Sequence, residues 1–418
     1  MSTPMSFKEG LARVFGRDKK DTSAQEKGQP GNVEVLKPKA EVSAKDELLA
    51  EYNEKNSEKE LNESRFVADV SAECMGKEEE YQDWKVEDRL VSLQDGRIIG
   101  VFDGLDSAAY SDDEGHKIYQ NHGHKASEAA SKSFAETFKN AKIAKTQEDA
   151  ERAMKEAMFM ANARVGLEKS ASPEDKGIGT TFVGAEIWRD KKTGESMLTV
   201  GNAGDSIAFL YRNGKLERVS KEHSMVGTLN EGYGLGIDDQ DNDTFAMTLA
   251  DYVNTKFKTD NERTKANLAK DLSMPVRKDA NTGKMITLGE TTIGNLRNIT
   301  VGGFSGREMS PDEKLDEREA SIKTIKLQKG DKILMCSDGL TDSTSQANIE
   351  KIIHDYESMG ADTVRQALIE NGMAAQTDPN NSRANKKDDV TVAWVEFNGF
   401  EEPEIELGEA DLKEEVAA

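Results

Sequence analysis

The chain has 418 residues, with 56 Lys plus Arg against 79 Asp plus Glu, a formal charge of −23 at pH 7. That balance, with no basic patch, excludes nucleic acid as a partner, because binding to phosphate backbones rests on clustered Lys and Arg. With 36% hydrophobic residues and no apolar run near the roughly 18 to 20 that cross a bilayer, no membrane span is expected.

Met1 to Phe7 shows no basic stretch leading into an apolar one, so no secretory leader is expected and the chain is read as cytoplasmic. Residues 1–64 are rich in Lys, Glu, Asp, Ser and Asn, which cannot bury enough apolar surface to offset ordering entropy, and they read as a disordered charged tail. Within it, Phe7, Leu11, Val14 and Phe15 have helical spacing beside Lys8, Arg13 and Arg17, and a fraying helix without a partner is the simpler reading. Cys74 and Cys336 are the two cysteines. So far apart, they make neither a disulfide framework nor a zinc site and read as free thiols.

Arg89–Leu93, a turn at Gln94-Asp95-Gly96, and Arg97–Phe102 predict a hairpin, since Asp-Gly supplies the positive φ angles of a tight turn. Helical spacing of Ala126, Ala129, Ala130, Phe134 and Phe138, then of Ala150, Met154, Ala157, Met158, Ala161 and Val165, predicts two helices with one buried face each. Thr181–Trp188, Met197–Asn202 and Ser206–Tyr211, with a turn at Arg212-Asn213-Gly214, predict an antiparallel meander. Residues from about 225 to 300 are polar and break the strand pattern. They read as an insertion or flap with one helix near 261–272 and a solvated loop at Asp238–Asp243, which lacks the Gly and distant Glu of a calcium loop. Lys332–Cys336 and Thr391–Phe397 predict two further strands. The segment 399–418 is acidic and self-repelling, a solvating tail or, less simply, an export signal.

Antiparallel strands with amphipathic helices and no βαβ alternation predict an α+β fold: a four-layer αββα sandwich, two antiparallel β-sheets packed face to face and flanked by helices. The expected main domain covers 65–398.

Acidic residues recur at the strand boundaries. Glu87 and Asp88 precede the first strand of the hairpin, Asp103 and Asp338 each follow a strand and precede a Gly, and Asp388-Asp389 precede the last strand. A lone Asp-Gly is usually a turn; four acids tied to strand ends are harder to attribute to turns. Gathered at one edge, carboxylates about 5 Å apart at an effective dielectric of about 20 repel by roughly 3 kcal/mol per pair, on the order of 10 kcal/mol for three pairs. Hard divalent cations remove that cost, and two sharing a carboxylate acidify a water into a nucleophile.

With those residues in place, roughly residues 65 to 398 resemble the metal-dependent protein phosphatases, the PPM or type 2C-like family of Ser/Thr phosphatases. Val86-Glu87-Asp88-Arg89 resembles the family's early Glu-Asp motif, and Gly100-Val101-Phe102-Asp103-Gly104 its Asp-Gly metal motif. Gly179-Thr180-Thr181 and Gly201-Asn202-Ala203-Gly204-Asp205-Ser206 are similar to its central pair. Cys336-Ser337-Asp338-Gly339-Leu340-Thr341-Asp342 is similar to its Ser-Asp-Gly-Leu-x-Asp signature, and Lys387-Asp388-Asp389-Val390-Thr391-Val392 stands where Asp-Asn-Ile-Thr-Val is usual. The motifs are weak singly and strong in this order.

The resemblance implies two Mg²⁺ or Mn²⁺ ions, with Asp103 bridging them, the Gly104 carbonyl on one, and Asp338 and Asp388 on the other. It also implies that Glu87 and Asp88 hold metal-bound water, and that a weaker third ion uses an acid before Gly-Thr-Thr, where Glu174 and Asp175 stand. The catalytic set is thus Asp88, Asp103, Asp338 and Asp388, the expected reaction is in-line hydrolysis of phosphoserine or phosphothreonine, and the partner is a phosphorylated protein. Asp205 and Ser206 are expected to pin a turn.

Three departures matter. Asp83 stands where the family often has a phosphate-gripping Arg, leaving Lys85 as the substitute. Leu105 stands where many members have a proton-donating His; His116, His122 and His124 follow, each expected at the surface. The flap motif is not recognisable in Thr300–Gly306. Two other readings stay open: a catalytically weak or inactive scaffold of the same fold that binds phosphoproteins, and an unrelated acidic cation binder whose Asp-Gly pairs are turns.

Overall fold

A computed structural model describes residues 65–75, 86–106, 109–111, 117–119, 122–171, 177–237, 242–259, 261–278, 284–297, 300–306, 320–383 and 387–401. The tail reading for 1–64 lies outside them, as does that for 399–418 from residue 402 onward; residues 399–401, read as tail, instead end the last strand. In chain order the strands are β1 (Arg65–Met75), β2 (Arg89–Leu93), β3 (Ile98–Phe102), β4 (Gly104–Asp106), β5 (Ala109–Ser111), β6 (Lys117–Tyr119), β7 (Ile178–Thr180), β8 (Phe182–Arg189), β9 (Ser196–Ala203), β10 (Ile207–Arg212), β11 (Lys215–Arg218), β12 (Pro275–Lys278), β13 (Met285–Thr287), β14 (Ser321–Lys326), β15 (Lys332–Cys336) and β16 (Val390–Glu401). The helices are α1 (Gly123–Asn140), α2 (Gln147–Ala171), α3 (Met225–Tyr233), α4 (Asn242–Ala246), α5 (Leu249–Thr255), α6 (Glu262–Leu272), α7 (Ile293–Arg297), α8 (Asp338–Thr341), α9 (Gln346–Tyr356) and α10 (Ala361–Thr377).

Two five-stranded antiparallel sheets run in the orders β1-β16-β15-β10-β11 and β14-β9-β8-β3-β2. The central strands β3, β8, β10 and β15 are buried on both faces, and the two-residue period sorts their side chains into separate layers. Ile99, Val101, Val183 and Val200 of one sheet meet Leu210, Ile333, Met335 and Val395 of the other. Ile98, Phe102 and Phe182 face the opposite way, onto Phe134 and Phe138 of α1 and Met154 and Met158 of α2. On the far side, Phe209, Leu334, Val392 and Trp394 face Ile349 and Ile353 of α9 and Leu368 of α10. The four-layer αββα sandwich read from the sequence is therefore present.

Local chemistry sets the element ends. Gln94, Asp95 and Gly96 take positive φ in the β2–β3 turn, and Arg97 donates its N–H back to Gln94, so β3 starts at Ile98 rather than at Arg97 as expected. Asn213 and Gly214, with φ of 54° and 75°, make the two-residue turn from β10 to β11. The Asn261 side chain accepts the N–H groups of Arg263 and Thr264, capping α6 close to the expected boundary. Cys336 is free and buried, and burial pushes its thiol up to about 12, so it stays an unreactive core residue.

The insertion differs from its reading as a polar flap with one helix. Between α3 and α7, Met225, Leu229, Leu249, Tyr252, Leu268, Leu288, Ile293 and Leu296 share an apolar core of their own. The expected solvated loop at 238–243 gives way to α4 at Asn242, and 238–241 lie outside the described residues. No described helix is long and apolar enough to cross a membrane.

Candidate functional site

The sandwich brings the acidic motifs to one edge because β3 and β15 end where β2 and β16 begin. Arg89 pairs with Phe102, Cys336 pairs with Val392, and Ser337 donates its N–H to the Thr391 carbonyl at 3.2 Å. The Glu87 N–H donates to Asp389 Oδ2 at 2.6 Å, joining the first motif to the last. Gly104 packs on the same residue: a Cβ there would lie 2.8 Å from the Glu87 carbonyl oxygen and 2.6 Å from the backbone of Gly123. Gly339 packs against Asp389 so closely that a Cβ would overlap its carbonyl. The four acidic segments thus form a chain of direct contacts, Gly104 to Glu87 to Asp389 to Gly339.

Each predicted acid has its own support. Asp103 is buried, and its carbonyl accepts the Thr181 N–H at 2.8 Å and the Thr180 hydroxyl at 2.9 Å, while its N–H donates to Thr181 Oγ1. The Gly-Thr-Thr motif therefore fixes the backbone of the Asp-Gly motif. Asp88 is buried and accepts the Thr391 hydroxyl at 2.7 Å. Asp338, also buried, begins α8. Asp388 is half-buried, donates its N–H to Gln376 Oε1 at 2.8 Å, and accepts Gln376 Nε2 at its carbonyl; the same Nε2 reaches the Gly339 carbonyl at 3.0 Å. Asp205 accepts the Thr300 hydroxyl, and Ser206 Oγ lies 2.7 Å from Thr181 Oγ1, so both sit in a buried turn network.

Burial dominates the electrostatics. It pushes the Asp88 carboxyl up to about 8, the negative charges of Asp389 and then Asp388 push the same way, and hydrogen bonds from Thr391 and Ser337 oppose them. Among the described residues no group of three or more His, Cys, Asp or Glu side chains is placed to hold a metal ion. The donor chemistry nevertheless fits a hard cation: Asp88, Asp103, Asp338, Asp388 and the Gly104 carbonyl offer oxygen alone, and a divalent ion would offset the burial and the neighbouring charges that hold a proton on Asp88.

Other expectations fall differently. Lys85, Asp83, Trp84, His116, Glu174 and Asp175 lie outside the described residues. Leu105 is half-buried in β4, paired with Gly179, and has no proton to give. His124, expected at the surface, is buried at 7% exposure, because α1 starts at Gly123 against Gly104 and carries it inward; His122 is half-buried beside it. Sequence reasoning passed over Asp389, Gln376 and Ser127, whose hydroxyl donates to the Glu87 carbonyl. Asp389 was legible only as the neighbour of Asp388, and nothing in the sequence singles out Gln376.

Comparison with known proteins bears on the fold. The family model Protein phosphatase 2C matches residues 74–228. The chain carries the phosphatase 2C fold. The serine/threonine phosphatase PstP/Ppp of Mycobacterium tuberculosis aligns with a TM-score of 0.50 at 17% identity, covering 79% of this chain and 99% of that one. The S. agalactiae serine/threonine phosphatase aligns at 0.48 and 17% identity over 79% and 100%, and Stp1 of Staphylococcus aureus at 0.45 and 18% identity over 81% and 100%. A structure of the PstP catalytic domain in complex with two manganese ions aligns at 0.48 and 17% identity over 79% and 99%. No curated protein sequence matches the chain. The phosphatase 2C match spans the first two acidic motifs and the Gly-Thr-Thr and Gly-Asp-Ser pair, while Asp338 and Asp388 lie beyond it.

Proposed function

We propose that this protein hydrolyses phosphoserine and phosphothreonine in proteins by a Mg²⁺- or Mn²⁺-dependent reaction. The observation that carries the reading is the contact chain Gly104–Glu87–Asp389–Gly339, which ties four acidic motifs into one partly buried edge. Asp103, the Gly104 carbonyl, Asp338 and Asp388 are the proposed ion ligands, and Glu87 and Asp88 orient water beside them. Two bound divalent ions would neutralise phosphoryl charge and acidify the attacking water. The chain's own part is to hold those oxygens fixed: Thr180 and Thr181 lock Asp103, Gln376 locks Asp388, and Thr391 aims Asp88. Lys85 is the proposed grip on substrate phosphate.

The test is hydrolysis of an aryl phosphate and a phosphothreonine peptide with added Mn²⁺ or Mg²⁺. Turnover should require the ion, and Asp103→Asn and Asp338→Asn should each reduce kcat on the order of 100-fold or more. Full activity in excess chelator refutes the metal mechanism. Ion binding without turnover by the wild type favours the scaffold instead.

A further inference from the structure

A buried arginine outside every motif stands beside the acidic edge. Arg383, five residues before Asp388 in the sequence, is 1% exposed. Its Nη2 donates to the Thr341 carbonyl at 3.0 Å, and its guanidinium carbon lies 4.1 Å from the centroid of the Phe245 ring. Thr341 ends α8, the turn that Asp338 begins, while Phe245 belongs to α4 of the insertion. Gly294 of α7 backs the same ring so closely that a Cβ there would overlap it. One side chain therefore grips a carbonyl of the acidic motif and the aromatic face of the insertion together.

The surrounding loop is tied to the same turn. Asn381 donates to the Ser343 carbonyl at 2.9 Å, and Gln376 links the Gly339 and Asp388 carbonyls. A second buried cation crosses this boundary: Arg297 of α7 sets Nε 3.0 Å from Asp342 Oδ1. An apolar residue at 383 would fill the space without desolvating a charge. A guanidinium alone combines in-plane donors with a face that stacks on an aromatic ring.

We propose that Arg383 is a positioning residue that couples the seat of the insertion to the Asp338 and Asp388 segments, so that packing of Phe245 on it sets their affinity for a divalent ion. The proposal rests on the metal-dependent reading above. Metal-stripped wild type, Phe245→Leu, Arg383→Lys and the double variant are titrated with Mn²⁺ by calorimetry, with amide hydrogen exchange followed over 338–344. Phe245→Leu keeps apolar volume while removing the aromatic face, and circular dichroism checks that each variant is folded.

Each single variant should weaken Mn²⁺ binding about fivefold or more, the double variant no more than the weaker single, and the amides of Asp342 and Thr344 should exchange faster. Wild-type Mn²⁺ affinity in both single variants overturns the coupling while leaving the phosphatase reading intact. Wild-type protein that neither binds Mn²⁺ nor hydrolyses an aryl phosphate overturns the metal-dependent reading and the coupling with it.

Discussion

Gly104 is informative because its need for glycine is steric. Its φ is not in the left-handed region, yet a Cβ would press on the backbones of both Gly123 and Glu87, which no rotamer change relieves. Gly104→Ala should cost about 1 to 3 kcal/mol and displace the carbonyl proposed as an ion ligand, lowering the melting temperature and metal-dependent turnover together. Unchanged turnover would show that this carbonyl is not a ligand. Glu186 reports burial without function. It is 2% exposed, and burial pushes its carboxyl up to about 7 against the pull of the Ala144 N–H and Arg97. Because the folded value exceeds the ordinary 4.5, the folded chain holds a proton that the unfolded chain has released between those pH values. Stability from this site is complete below about pH 4.5 and falls as pH rises through 7, by at most about 3 kcal/mol. Glu186→Gln, which keeps an acceptor for Ala144, should flatten that part of the melting-temperature profile between about pH 4.5 and 7; an unchanged profile would assign the slope elsewhere.

At the scale of elements, the loop 300–306 braces the site from behind. Phe304 exchanges backbone hydrogen bonds with Thr180 and stacks on Phe182 with ring centroids 5.2 Å apart, while Gly306 donates its N–H to Asn162 of α2. Since Thr180 holds the Asp103 carbonyl, Phe304→Ala should cost about 3 kcal/mol and speed hydrogen exchange at the Thr180 amide. Loss of stability without faster exchange there would limit Phe304 to filling the core. None of this was legible in Thr300–Gly306, which matches no motif. The central strands were legible because burial on both faces leaves largely apolar runs such as Ile98–Phe102 and Ile333–Cys336, the first preceded by an Asp-Gly turn, whereas the edge strands β1 and β14 were not. The acidic motifs stood out for the same reason, as carboxylates are conspicuous where apolar strands end. The insertion was not: Leu249, Leu268, Leu288 and Ile293 are spread thinly among polar residues, and their shared core depends on tertiary packing that no local period reveals.

For the whole molecule, the sandwich gathers acidic segments at one edge of a chain already carrying −23. Anything that binds the folded edge and not the unfolded chain stabilises by RT ln(1 + [L]/Kd), about 2.7 kcal/mol at a hundredfold excess over Kd. Mn²⁺ should therefore raise the melting temperature in a concentration-dependent way, and Asp338→Asn should remove most of the rise. The effect has a sign in pH. The Asp88 carboxyl titrates near 8 in the fold against an ordinary 3.8, chiefly through burial. Without ions, stability from this group is complete below about pH 4 and is lost as pH rises toward 8. Ion binding would oppose that loss, since a divalent charge beside Asp88 favours its carboxylate and releases the proton. The Mn²⁺-induced rise in melting temperature should consequently be larger at pH 8 than at pH 6, and Asp88→Asn should narrow the difference. Equal rises at both pH values, or an equal rise in Asp338→Asn, would mean that the ion binds elsewhere on the acidic surface and that the four motifs converge for packing alone.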